Sequence, residues 1–179
     1  MRFVSTGAAM TRAIGAAIAS ELVPGSVVVL VGDLGAGKTV LAQGVAAALG
    51  VEERVVSPTF AIAREYVGRV AVHHLDLYRL DRVQEAIDLG LDELFDGAVT
   101  LIEWGDGVRE LLPDDRIEIT LEVLPPGEAD DDTRLITIAG VGADWPTREA
   151  ALHDSLNAFE TSERTSRQLG SVPTVRRSW

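Results

Sequence analysis

Gly32-Asp33-Leu34-Gly35-Ala36-Gly37-Lys38-Thr39 fits the pattern G-x-x-x-x-G-K-[ST], and its lysine is the only one in the chain. All fifteen other members of the sixteen Lys and Arg residues are arginine. Such a loop lets successive backbone N–H groups turn inward around a phosphate chain, and the helix that follows adds the partial positive charge of its N-terminus. A lysine ammonium is a compact charge on a flexible stem that reaches β- and γ-phosphate oxygens. Arginine's planar fork is too wide for the same space. The Thr39 hydroxyl is then placed to ligate Mg²⁺. A chance match in a chain of this length is below roughly 1%. The flanks also suit: Val27 to Val31 reads as a strand buried on both faces, and an alanine-rich helix runs on to about Leu49. The expected contacts to a nucleotide are therefore Gly32, Asp33, Leu34, Gly35, Ala36, Gly37, Lys38 and Thr39.

Nucleotide chemistry on such a loop needs acids at the carboxyl ends of neighbouring strands, to hold Mg²⁺ and orient water. Two positions qualify. Glu103 follows the apolar run Ala98–Ile102, and Asp76 follows VAVHHL. Asp76 could equally close a hairpin or pair with Arg79, and Glu103 could open the next helix. Thr59, in the turn Ser57-Pro58-Thr59-Phe60, could sense γ-phosphate as switch loops do, although such a turn is often only a turn. Trp104, directly after Glu103, is either core packing or a cover for nucleotide or partner. His73 and His74 alternate across a strand, cannot share one metal, and read as structural. Arg64, Arg69, Arg79 and Arg82 bracket the same hairpin and read mainly as surface ion-pair partners. A guanine-selecting Asn-Lys-x-Asp loop is missing, because the only asparagine is Asn157 and the only lysine is Lys38. ATP is the favoured nucleotide.

The elements that would position these groups can be read in order. A short strand at Arg2–Ser5 precedes an amphipathic helix over residues 7–22, with Met10, Ile14, Ile18 and Leu22 on one face and Thr6 as its N-cap. Pro24-Gly25 turns into the central strand. A hairpin turning at Val67-Gly68 follows, then a helix over 81–95, the strand to Glu103, and a short helix near 106–112 that stops at Pro113. Ile117–Leu124 and Leu135–Ala139 alternate apolar and polar residues, which predicts two antiparallel strands on the sheet's edge, with Asp130-Asp131-Asp132 in the solvated turn between them. The fold class is α/β: a three-layer P-loop NTPase fold, with a largely parallel central sheet and flanking antiparallel strands. Residues 1–144 read as the ATPase domain and 145–179 as a C-terminal helix with a mobile tail.

Composition bounds the remaining possibilities. The net charge of −12 is the wrong sign for a broad nucleic-acid footprint. Any RNA should be met through a partner or a small patch; residues 1–144 carry −13 and the rest +1. There is no cysteine, hence no disulfide or thiolate chemistry. No apolar run approaches the ~20 residues that span a bilayer, and the N-terminus lacks a signal peptide's apolar core. A cytoplasmic protein away from the membrane is expected.

GDLGAGKT, SPTF, HLDLYRL and LIEWG, in this order and spacing, resemble the TsaE (YjeE-type) family over roughly residues 1–140. That resemblance implies an ATPase that works with the TsaD and TsaB proteins in threonylcarbamoyladenosine modification of tRNA, without itself transferring the group. ATP and Mg²⁺ are its cofactors, and tRNA is met only through the complex. Carried onto this chain, it implies phosphate and Mg²⁺ ligands at Lys38 and Thr39 and a switch-like threonine at Thr59. It further implies the DLYR acid at Asp76, an acid tied to Mg²⁺ and hydrolysis at Glu103, and a nucleotide-responsive ring at Trp104. Lys38, Asp76 and Glu103 are the expected catalytic residues, with Thr39 and Glu103 on the metal. Ser5 to Thr11 would pack near adenine, with Arg134 close by. Two other readings are a small-molecule P-loop kinase and a nucleotide-gated interaction module without significant hydrolysis. The first would want a basic lid, and none is found between Gly50 and Gly97. Glu103 at a strand end weighs against the second.

Overall fold

Alternate residues of the run Val27–Val31 enter different cores, which is why all of them can be apolar. In the computed structural model, which describes residues 1–58, 62–78, 94–125, 129–143 and 145–162, this run is strand β2. Val28 and Leu30 join a cluster that includes Ile14, Ile18, Leu41, Val45 and Leu101. Val27 and Val29 join a second, with Leu75, Leu77, Ile102, Val108 and Leu112. A strand covered on both sides is the mark of a sheet at the centre of three layers.

The strands are β1 (Arg2–Ser5), β2, β3 (Ala63–Tyr66), β4 (Ala71–Asp76), β5 (Ala98–Glu103), β6 (Arg116–Val123) and β7 (Arg134–Val141). They form one sheet in the order β1-β7-β6-β2-β5-β4-β3. The inner strands β6, β2, β5 and β4 run parallel, and β1, β7 and β3 add antiparallel flanks. The mixed sheet agrees with the fold class expected from sequence.

Two local expectations are corrected. Neither alternating strand is on the edge: β6 lies between β2 and β7, with Val28 opposite Ile117, and β7 is covered by β1, with Phe3 opposite Ile136. Alternation reports that one face is buried and the other less so; it carries no information on which strands lie to either side. Thr6 is not the N-cap of helix α1 (Ala8–Ala19); Gly7 holds that position, without a side-chain cap bond. Thr6 is exposed, while Ser5 and Thr11 hydrogen-bond each other at 2.8 Å beneath the helix start.

Helix α2 (Lys38–Ala48) packs against α1 where two glycines bring the backbones together. Side chains added at Gly15 and Gly44 would collide with the carbonyl oxygens of Leu41 and Arg12 respectively. Helix α3 (Trp145–Leu156) sends Leu152 and Leu156 into the cluster beneath α1. Its Arg148 donates to the Glu21 carbonyl at 3.1 Å, and Ser155 donates to the Glu21 carboxylate at 2.7 Å. The expected helix near 106–112 is a 3-10 helix, Gly105–Leu111. The expected helix over 81–95 falls almost wholly outside the described residues, as do Arg79, Arg82 and the tail from 163. Among the described residues no helix is long and apolar enough to cross a membrane.

Candidate functional site

Parallel strands deliver their carboxyl ends to one side of a sheet, and here that side collects most of the residues with chemistry. The loop Gly32–Gly37 leaves β2 and enters α2, whose first residue is Lys38. Gly32 passes so close to the Leu121 carbonyl that a Cβ would collide with it. Gly37 holds φ at 107°, in the left-handed region, immediately before the helix. The loop's backbone geometry is therefore specified by its glycines. Leu34, at the tip, is 91% exposed.

Lys38 is only 5% exposed. Its ammonium folds back over the loop, donating to the carbonyls of Gly32 at 2.7 Å and Asp33 at 3.0 Å. Trp104 lies over it, with the ring centre 3.9 Å from Nζ. Trp104 has φ 62°, a left-handed conformation that is uncommon for a bulky residue. This turn ends β5 and starts the 3-10 helix. Tyr78 tilts against the same indole, with centroids 4.9 Å apart.

The two expected acids end neighbouring strands in register, Asp76 beside Glu103. Glu103 is buried and accepts the Thr39 hydroxyl on Oε1 at 2.8 Å. Asp76, also buried, accepts the Ser57 hydroxyl at 3.2 Å on one oxygen and the Tyr78 N–H at 3.1 Å on the other. The structure thus gathers Lys38, Thr39, Asp76, Glu103 and Trp104 at one end of the sheet. Thr59 lies outside the described residues.

Both neighbouring histidines read as structural in the sequence, and the structure divides them. His73 donates from Nδ1 to the Leu94 carbonyl at 2.7 Å, a structural tie. His74 does more: its Nε2 lies 2.9 Å from the same Glu103 oxygen that Thr39 bonds. Its position two residues before Asp76, on the same face of β4, was the available signal. Arg134, reached only through resemblance and expected near adenine, donates to the Ala36 carbonyl at 3.2 Å and to the Asp131 and Thr133 carbonyls at 2.6 and 2.9 Å. It ties the start of β7 to the glycine loop.

Would these groups suit Mg²⁺? Thr39 and the two acids offer hard oxygen donors, the kind this ion prefers. Among the described residues no group of three or more His, Asp or Glu could hold a metal unaided. Mg²⁺ is generally bound through one or two carboxylates together with substrate phosphates and water.

A buried strand, a G-x-x-x-x-G-K-T loop and a helix within a mainly parallel three-layer sheet define a protein of the P-loop NTPase fold. The family model described as "Threonylcarbamoyl adenosine biosynthesis protein TsaE" matches residues 5–129. The tRNA threonylcarbamoyladenosine biosynthesis protein TsaE of Bacillus subtilis (strain 168) is 41% identical over 151 residues, covering 82% of this chain and 91% of its own length. Its counterpart in Treponema pallidum (strain Nichols) is 41% identical over 140 residues, covering 78% of this chain and 100% of its own. The crystal structure of YdiB from B. subtilis superposes with a TM-score of 0.72 at 35% identity, covering 86% of this chain and 94% of that one. The chain belongs to the TsaE family of threonylcarbamoyladenosine biosynthesis proteins.

Proposed function

We propose that this chain is an ATPase subunit that binds ATP and Mg²⁺ on Gly32–Thr39, and that its turnover serves tRNA threonylcarbamoyladenosine formation in a complex with TsaD and TsaB. The observation that carries the reading is the 2.8 Å bond between Thr39, at the start of α2, and Glu103, at the end of β5. It joins the loop's hydroxyl to a strand-end acid at the place where a phosphate–metal unit is handled in this fold.

In this reading the loop N–H groups and the helix terminus bind the phosphates. Lys38 exchanges its contacts with the Gly32 and Asp33 carbonyls for β- and γ-phosphate oxygens. Thr39 and Glu103 hold Mg²⁺, which when bound neutralises charge on the phosphates. Asp76, beside Glu103, shares the work of orienting the attacking water, and Trp104 with Tyr78 covers the lysine. With a net charge of −12, the chain meets tRNA through its partners rather than over a broad surface of its own.

The test is ATP turnover by the purified protein, with and without TsaD and TsaB, using Lys38→Ala as the blank. The expected result is turnover that the partners stimulate and the blank lacks. Phosphate release indifferent to the partners, or dependent on an added small-molecule acceptor, would overturn the reading in favour of a kinase. Partner binding that responds to ATP without turnover would favour a nucleotide-gated module.

A further inference from the structure

Among the described residues, one buried side-chain polar atom has no hydrogen-bond partner: Nδ1 of His74. The ring is 0% exposed. It stands on β4 opposite Leu101 and on the same face as Val72, both in the main apolar cluster. Packing alone would favour a leucine or phenylalanine there, since an unpaired acceptor in such surroundings costs stability. The ring's one polar contact is Nε2 to Glu103 Oε1, at 2.9 Å.

An ionised carboxylate only accepts, so Nε2 carries the hydrogen. A hydrogen on Nδ1 would find no acceptor. His73 has the opposite arrangement, because its Nδ1 must donate to the Leu94 carbonyl. Oε1 of Glu103 thus receives two donors, His74 Nε2–H and Thr39 Oγ1–H, while no described hydrogen bond engages Oε2. Two donors of different origin, one from β4 and one from α2, hold the carboxylate by one oxygen.

Resting on the ATPase reading above, we infer that His74 is a positioning residue of the nucleotide site. Its Nε2–H fixes Glu103 by Oε1 and leaves Oε2 as the oxygen with open capacity for metal or water. The hydrogen bond also outlasts any exchange at Thr39: when that hydroxyl turns to a metal, His74 still holds the acid.

The test compares wild type with His74→Leu, which fills similar space without a donor, and His74→Gln, which returns an N–H at similar reach. In the turnover assay, His74→Leu is expected to lower kcat by about 10- to 100-fold, the usual effect of losing a group that orients a metal-site ligand. KM for ATP should move by less than about threefold. The thermal midpoint should not fall, and glutamine should restore much of the rate. A leucine variant as fast as wild type, or a glutamine variant as slow as leucine, would overturn the inference. A second readout needs no turnover. Nitrogen-15 NMR of the three histidines in the ligand-free protein should show one buried ring protonated on Nε2, whose signal shifts in Glu103→Ala. An Nδ1-protonated His74, or one indifferent to Glu103, overturns the positioning role. If the wild type hydrolyses no ATP, the ATPase reading falls, and this spectrum alone decides the His74–Glu103 relationship.

Discussion

Trp104 places its ring centre 3.9 Å from the ammonium of Lys38, and holds a left-handed backbone to do so. A bulky residue with φ 62° costs of order 1–3 kcal/mol. A cation against an indole face returns about 0.5–2 kcal/mol, depending on how dry the contact is. The two are comparable, so the contact offsets much of the strain. The turn that ends Glu103's strand and the lysine of the glycine loop are therefore energetically linked.

Lys38→Arg tests the space beneath that ring. The ammonium is enclosed by the Gly32 and Asp33 carbonyls and by the indole. A guanidinium keeps the charge but is broader and planar. ATP turnover should be lost or greatly weakened, even though the chain elsewhere uses arginine for every positive side chain. Near-normal phosphate release by Lys38→Arg would sink the proposed role.

Thr39 separates packing from metal binding. Thr39→Ser keeps the hydroxyl that meets Glu103 at 2.8 Å, and Thr39→Val keeps the shape without it. Affinity for ATP should be higher with Mg²⁺ than with a chelator in wild type and Thr39→Ser. In Thr39→Val the two affinities should converge, at a cost of about tenfold or more in the presence of the ion. Calorimetric titration with a slowly hydrolysed ATP analogue measures both. A valine variant that kept the full Mg²⁺ effect would remove Thr39 from the metal site.

What could be read in advance follows from how local each signal is. The P-loop is a contiguous motif whose backbone is set by its own glycines, so its strand, loop and helix could all be placed from one continuous stretch, Val27 to Leu49. Glu103 and Asp76 were legible because each ends an apolar strand, and parallel strands put their ends together. The alternation of Ile117, Ile119 and Leu121 gave the strand and its buried face, yet the neighbours of β6 depend on long-range pairing with β2 and β7. His74 was half legible: its face was readable from the alternation, but its partner comes from another strand. Arg134 was further out of reach, since its contact with Ala36 crosses 98 positions of sequence.

Gly44→Ala asks whether the close helix contact or helix propensity prevails. Alanine is intrinsically better in a helix by about 1 kcal/mol. At Gly44, however, its methyl would meet the Arg12 carbonyl, a backbone group that moves only if α1 moves. Overpacking of this kind costs about 1–3 kcal/mol, so net destabilisation is expected from urea unfolding. Gly107→Ala, where the added carbon meets nothing within 4 Å, should stay within about 0.5 kcal/mol of wild type. Equal stability of Gly44→Ala and wild type would show that α1 and α2 are not fixed at this contact.

Arg134→Ala tests whether the glycine loop is held from outside. The Ala36 carbonyl belongs to a fully buried residue and receives the Arg134 Nε–H, while the same guanidinium grips Asp131 and Thr133 in the turn before β7. Bonds from a charged donor are worth about 1.5–3 kcal/mol each before losses to solvent and side-chain entropy. The expected loss of stability is therefore about 1–3 kcal/mol in total, because the group is half-buried. Lysine at this position cannot span both the loop and the turn, and should recover only part of it. If the guanidinium also sets the loop's shape for phosphate, ATP affinity should weaken by about tenfold in Arg134→Ala, beyond anything unfolding explains. Urea unfolding and ATP titration on the same samples separate the two. Lost stability with unchanged affinity would reduce Arg134 to a fastening of the β7 turn. A parallel loss in both would make it the residue through which the acidic turn at Asp130–Asp132 bears on the nucleotide.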